Sequence, residues 1–261
     1  MALHTVRVDE LEVRDERPLR DMAVYAAIRR VLRADDFQFR VATDGENDWA
    51  RVLFLNLTYW NAGEASDVLV DASIDADVLA HAGWHHAARK AMAPARAGRA
   101  ATAAELFLGE SVASAFDLYL VGWLVRSGKR STFLKTQLPA MAAVAENAGV
   151  DRAAFAALIE SVAADPARAF EDLRALLFDA AVALMACGGV DQAAGALQQL
   201  GTRRFISLLH HYELSNWVLY ARAYGGTAGG NGLDEGVAVA TDSALRAAPD
   251  SLVWLEKHWL S

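Results

Sequence analysis

The chain has 261 residues, of which 54% are hydrophobic and 22% charged, and its formal net charge at pH 7 is -8. This composition excludes a disordered chain, and the length suits one compact unit of two subdomains. The acidic balance argues against a broad nucleic-acid interface, which needs clustered Lys and Arg side chains. Cys187 is the only cysteine, so an intramolecular disulfide and a cysteine-based metal cluster are also excluded.

The sequence shows no segment that would direct the chain into a membrane. The N-terminal stretch from Met1 to Glu10 lacks the apolar core of a signal peptide. No run approaches the roughly 18 uninterrupted apolar residues of a membrane span. We therefore expect a cytoplasmic protein without membrane or nucleic-acid partners, and both homo- and hetero-oligomers remain open.

Residues 1–74 are predicted to form a small β-sheet with one helix. Apolar and polar residues alternate over 3–14 and again over 37–41, as in half-buried strands. Between them, a helix is expected from Pro18 to about Arg33. A third strand, from Val52 to Trp60, is rich in residues that favour β structure.

Residues 75–261 are predicted to be almost entirely helical, which makes the fold class α+β. Apolar residues recur there with helical spacing, and Pro and Gly residues separate the segments. The predicted helices lie near residues 75–92, 101–127, 133–148, 151–164, 167–187, 190–199, 202–224 and 249–259.

Two histidines carry the main chemical signal. His81 and His85 are four residues apart on a predicted helix, so their side chains share one face, about 6 Å apart. Two imidazoles at this spacing can hold one divalent ion. Asp77, one turn earlier on the same face, could orient a ligand or serve as one. His86 points elsewhere.

A polar stripe crosses the otherwise apolar helix 101–127. Glu110, Ser114 and Asp117 are spaced four and three residues apart and so lie on one face. A buried carboxylate without a partner is costly, and no Lys or Arg lies near this stripe. A metal ion or the histidines are the expected partners, and a metal-free polar network is the alternative.

These residues resemble the site of the gluzincins, the thermolysin-like zinc peptidases. That family carries His-Glu-x-x-His on one helix and a third ligand, Glu, on a later one. Here His81-Ala82-Gly83-Trp84-His85 precedes Glu110, and the resemblance covers about residues 37–125. It implies a zincin-like helical subdomain in which His81, His85 and Glu110 bind zinc, with Asp117 or Ser114 supporting a ligand. Iron, or no metal, remains the alternative.

The sequence departs from that family at the catalytic base. Ala82 occupies the position of the glutamate that the peptidases use as general base. Such a group typically contributes 10²–10⁴-fold to the rate. His86 is turned by about 100° from His85 on a helix and is a poor substitute. Ordinary peptidase activity is therefore not expected.

Two further segments are candidates for the walls of the same cleft. In zinc peptidases a downstream His or Tyr often steadies the substrate oxyanion, so His210 or His211 could line the cleft. A solvated or core-edge pair is the alternative for these two. Zincins also pair extended substrates with the strand before the histidine helix, which here would use Leu55, Leu57 and Tyr59.

Two functions follow from this interpretation. The first is a peptide-binding protein without peptidase activity, built on a zinc-metallopeptidase-like scaffold and guiding the maturation of a peptide such as a natural product. The second is a metal-dependent enzyme that acts on a small-molecule ligand or peptide. It would be a hydrolase, or a non-haem iron oxygenase that uses a two-histidine, one-carboxylate site. A third hypothesis treats the polar stripe as structural.

Overall fold

Short strands at the N-terminal end precede a helical body, so the α+β class is confirmed. The computed structural model of the chain describes residues 3–42, 68–69, 71–96, 100–224 and 236–261. Leu55, Leu57 and Tyr59, which were predicted to bind a peptide, lie outside the described residues.

The described strands form two small sheets rather than one. The strands are β1 (Leu3–Arg7), β2 (Glu12–Arg14), β3 (Gln38–Ala42), β4 (Val68–Leu69) and β5 (Ser73–Asp75). In the first sheet β3 pairs with β1 antiparallel and with β4 parallel, and in the second β2 pairs with β5 parallel. Residues 3–14 are therefore split between the sheets. The split occurs at a 3₁₀ turn, Val8–Glu10, where the Glu10 carboxylate accepts the Arg7 N–H at 2.8 Å.

The first helix, α1 (Ala23–Ala34), packs its apolar face onto the core through Tyr25, Ile28 and Leu32. The predicted start at Pro18 is wrong. The chain turns there instead, because the Glu16 carbonyl accepts two backbone N–H groups and its buried carboxylate pairs with arginines that follow.

The helical body confirms most of the predicted helices with shifted ends. The helices are α2 (Ala76–Arg96), α3 (Ala103–Ser127), α4 (Thr132–Asn147), α5 (Arg152–Ala164), α6 (Pro166–Met185), α7 (Val190–Gln199), α8 (Leu214–Tyr224), α9 (Val237–Ala247) and α10 (Ser251–Trp259). The sequence did not indicate α9.

The predicted continuous helix over 202–224 is wrong. A 3₁₀ helix, Ile206–Tyr212, is followed by Glu213 with a positive φ of 48°, and α8 begins after it. A left-handed conformation is uncommon for a residue other than glycine. The apolar spacing of this segment fits a short 3₁₀ helix as well as an α-helix, so the break could not be recognised from hydrophobic pattern.

Helix α3 forms the centre of the body. Thr102 and Glu105 close a reciprocal capping box at its start, and Gly128 ends it with a φ of 63°. Among the described residues, α3 is the one helix that is long and apolar enough to cross a membrane, with a mean hydropathy of 1.3. However, 78% of that apolar window is buried by the rest of the protein. This burial is what the central helix of a packed core requires.

The N-terminal part packs directly against the helices that follow. Gly83 of α2 lies so close to α1 that a Cβ there would overlap Ile28. In addition, the Asp15 carboxylate accepts hydrogen bonds from the Thr132 N–H at 2.7 Å and from the Ser131 hydroxyl at 2.6 Å, which caps α4. These contacts fix α1 behind the histidine helix and tie the start of α4 to the N-terminal part.

Candidate metal centre

The three residues predicted to bind a metal come from two packed helices. His81 and His85 lie on α2 and Glu110 lies on α3. Trp84, between the two histidines, is fully buried and meets Phe116 of α3 edge-on, with ring centres 5.5 Å apart. This contact sets the rotation of α2, so that both imidazoles approach α3.

Small residues let the two helices come close beside Glu110. A Cβ added at Gly109 would lie 3.4 Å from the Cβ of Ala88, which is ordinary contact distance. The helices therefore meet there without a large side chain between them, which brings Glu110 within reach of the histidines.

The ligand atoms of the three side chains converge. Glu110 Oε1 lies 3.5 Å from His81 Nε2, and its Oε2 lies 3.0 Å from His85 Nε2. All three ligand atoms lie within 4.8 Å of one another, so the group could hold a metal ion. Two ligands bound at about 2.0–2.1 Å to one tetrahedral ion are roughly 3.3 Å apart. The two separations, each to a different oxygen of Glu110, are close to this value.

Two neighbours on α3 orient these side chains. His81 Nδ1 lies 3.1 Å from Asp117 Oδ2, and the Ser114 hydroxyl donates to Glu110 Oε1 at 3.2 Å. The Asp117 carboxylate can accept a hydrogen bond from Nδ1–H, which leaves Nε2 of a neutral His81 free to bind an ion. Metal-ligating histidines are commonly held in this way. Asp117 and Ser114 thus lie where the sequence placed ligand-supporting residues.

The charges of the group stabilise one another. Burial alone would raise the pKa of Glu110, but the charge of His85 and hydrogen bonds from both histidines hold it well below its usual range. Burial alone would lower the pKa of His81, yet the charge and hydrogen bond of Asp117, together with Glu110, raise it well above its usual value. Without a metal ion, these interactions favour the doubly protonated, positively charged form of His81, which balances the charge of the buried Glu110.

Asp77 lies on the same face of α2 but outside the converging group. Burial, followed by repulsion from Asp117, raises the pKa of Asp77 to about 6. This carboxyl is therefore poised to gain or lose a proton near neutral pH. The repulsion couples the charge of Asp77 to that of Asp117, the acid beside His81.

The histidines of the second cluster separate in the structure. His211 is half-buried, and its Nε2 lies 3.2 Å from Gln137 Oε1 of α4, so Nε2 carries the proton. Burial lowers the pKa of His211, while Asp117 and Glu213 oppose that shift. His211 is therefore close enough to the centre to respond to Asp117. His210 is exposed to solvent.

The sequence did not indicate two residues that contact His211, namely Tyr212 and Gln137. Tyr212 is buried, and burial together with the charge of Asp117 raises the pKa of its hydroxyl. Its position next to the paired histidines was a usable signal. Gln137 gave no such signal, because its partner His211 is far along the chain and no spacing rule connects them.

His86 belongs to a different cluster. Its Nε2 lies 2.8 Å from Asp35, which also binds Lys90, and its ring packs against Phe37. This confirms that His86 points away from its neighbour His85. Ala82, between the two histidines, is buried and presents only a methyl group.

Comparison of the chain with protein-family models, with curated proteins and with solved structures gave no match.

Proposed function

We propose that this protein binds a peptide at a metal centre formed by His81, His85 and Glu110 and does not hydrolyse it. The observation that carries the proposal is the convergence of these three ligands on a helix pair that has alanine at position 82. The arrangement resembles a zinc-peptidase site in its ligands and differs from one in lacking the residue that takes the proton from water.

The chain's own side chains supply the binding functions. His81, His85 and Glu110 would hold the ion, while Asp117 and Ser114 orient His81 and Glu110. A zinc ion there supplies Lewis acidity towards a carbonyl or carboxylate oxygen. Three protein ligands leave a tetrahedral ion one free position. The His85 side chain is 37% exposed, which gives a partner access to this position.

Peptide binding also agrees with the position of His211. His211 presents a neutral imidazole near Asp117, with Nε2 engaged by Gln137. Its Nδ1 can accept a hydrogen bond from a peptide N–H. The proposed role is the guidance of a peptide during its maturation, including that of a peptide natural product. The strand Leu55, Leu57 and Tyr59 remains the predicted site of strand pairing.

A binding experiment tests this function. Fluorescence anisotropy would be measured with a panel of unstructured labelled peptides, with zinc and with a chelator. We expect zinc-dependent binding that His81→Ala abolishes and His86→Ala retains, because His86 lies on the same helix outside the centre. Mass spectrometry should find the peptides intact. If no peptide binds in either condition, the proposal is rejected.

The donor set favours one alternative function. Two histidines and one carboxylate also form the facial triad of non-haem iron oxygenases, and the same exposure of His85 would admit a small molecule. A hydrolase using another base is the related possibility. Elemental analysis of protein purified without chelators separates these, because iron supports the oxygenase and zinc does not. Peptide cleavage by the zinc-loaded protein would favour the hydrolase.

A further inference from the structure

A cavity of about 220 Å³ lies on the side of α3 opposite the metal centre. Its walls come from the starts of α1 and α6, the second half of α3, and α10. Successive residues of a helix turn by about 100°, so Tyr119 faces about 180° away from Glu110 on α3. The cavity is therefore separate from the metal centre and does not depend on the function proposed for it.

The cavity combines aromatic rings with carboxylates. Tyr119 and Trp123 of α3 supply the rings, and Asp21, Asp250 and Glu256 supply the carboxylates. Aromatic faces attract cations through their quadrupole, and carboxylates form charge-assisted hydrogen bonds with them. This lining is complementary to an organic cation with a short apolar stem.

One side chain of the protein already shows how this wall accommodates an ammonium group. Lys129 Nζ lies 4.6 Å from the centre of the Trp123 ring and 2.9 Å from Asp21 Oδ2. The ammonium group thus has an aromatic face and a carboxylate as neighbours in a single position. Asp21 is neutralised by this contact.

The other two carboxylates have no such cation among the described residues. Asp250 accepts the N–H of Val253 at 3.0 Å, which caps α10, but a backbone amide does not cancel its charge. Glu256 lies one turn beyond Val253 on the same helix and forms no ion pair in the described part of the chain. Burial, reinforced by Asp250 and Glu256, raises the pKa of Tyr119, while Arg126 opposes this. Two carboxylates therefore line the cavity without an ion pair among the described residues.

We propose that this cavity binds a small organic cation with an alkylammonium or guanidinium head. Asp250 and Glu256 pair with the charged head, and the rings of Tyr119 and Trp123 contact its methylene stem. The source of the cation is either a free amine or the side chain of a lysine or arginine in a peptide, since both present the same chemistry.

Isothermal titration calorimetry with the full-length protein tests the proposal. The probes are pentylamine, its neutral analogue pentanol, and the tripeptide Gly-Lys-Gly with blocked ends. We expect pentylamine to bind at least about tenfold more tightly than pentanol, because the alcohol lacks the charge. Tighter binding of the tripeptide than of pentylamine identifies a peptide side chain as the source, and the reverse order identifies a free amine.

Matched variants locate the binding. Glu256→Gln keeps the shape of the side chain and should weaken pentylamine binding about fivefold, and Trp123→Phe about threefold. Glu146→Gln, an exposed acid on α4, should leave it unchanged. Equal binding of pentylamine and pentanol, or unchanged binding in Glu256→Gln, would overturn the proposal. His81→Ala should retain pentylamine binding, so failure of the metal centre and failure of this cavity are distinguishable.

Discussion

Two ionic clusters in the helical body each contain a buried carboxylate, and the charges of these two carboxylates are balanced in different ways. In the first, the guanidinium group of Arg174 is fully buried and lies 2.8 Å from Asp242 and 2.6 Å from Glu171. Arg246 extends this arginine cluster by pairing with Asp242 and with Asp179. In the second cluster, the metal centre, Glu110 faces imidazoles instead.

The two clusters differ in whether a metal ion can replace the positive charge beside the buried acid. Arginine remains protonated in proteins, so the arginine cluster is electrically complete and offers no place for a metal cation. An imidazole can exchange its proton for a metal ion. The charge of a buried acid is therefore balanced by a permanent cation at Arg174 and by titratable imidazoles at the candidate metal centre.

The largest effect on stability is expected from removing Arg174. Arg174→Met should lower the free energy of unfolding by about 4 kcal/mol, because Glu171 and Asp242 would lose their buried partner. Urea denaturation of the metal-free protein measures this loss. The control is Arg168→Met on the same helix, whose exposed ion pair with Asp172 should contribute less than about 1 kcal/mol. Similar losses in both variants would contradict the comparison.

Replacing Glu110 should lower the affinity of the candidate metal centre for zinc. Glu110→Gln keeps the size of the side chain but removes a charged ligand, and we expect zinc affinity to fall more than about 100-fold. Competition with a chromophoric chelator gives the affinity. Glu105→Gln is the matched control, because it changes another buried glutamate of α3 and glutamine preserves the capping box. Unchanged zinc affinity in Glu110→Gln would remove this residue from the ligand set.

A smaller effect is expected from the residue that orients His81. Asp117→Asn should weaken zinc binding about tenfold, because the amide can present its nitrogen to Nδ1 and no longer fixes the imidazole orientation. Asp35→Asn, which changes the acid beside His86, should leave zinc affinity as it is. Equal effects of the two substitutions would show that Asp117 does not support the centre.

The smallest effect concerns Asp77, a carboxyl that forms no ion pair within the described residues. The pKa of Asp77 is raised to about 6 in the folded protein, so the protonated form is favoured there and stability falls as pH rises from about 4 to above 6. At pH 7, Asp77→Asn should therefore be more stable than the unsubstituted protein, by the order of 1 kcal/mol. This difference should vanish at pH 4. Urea denaturation at both pH values, with Asp191→Asn as an exposed control, measures it.

The parts of the structure that depend on local periodicity could be predicted from the sequence. The four-residue spacing of His81 and His85 requires only an α-helix to place both on one face, and the same holds for Glu110 and Ser114. Most helix ends were also close, because Gly and Pro residues mark them. The α+β class followed from these local patterns.

The parts that depend on distant partners could not be predicted. The bond between His211 and Gln137 joins segments far apart in the sequence, as does the pair of Arg174 and Asp242. The left-handed backbone at Glu213 is likewise imposed by packing, since glutamate has no intrinsic preference for it. Such features follow from tertiary contacts that periodicity does not encode.

The cap that Asp15 places on α4 joins the N-terminal part to the helix that holds His211. Asp15 fixes the first turn of α4, and one turn further on Gln137 of that helix holds His211. A substitution at residue 15 would thus act on the start of the helix that carries the partner of His211. Residues at the beginning of the chain therefore help to hold the partner of His211, and a library confined to the neighbours of His211 would leave Asp15 unchanged.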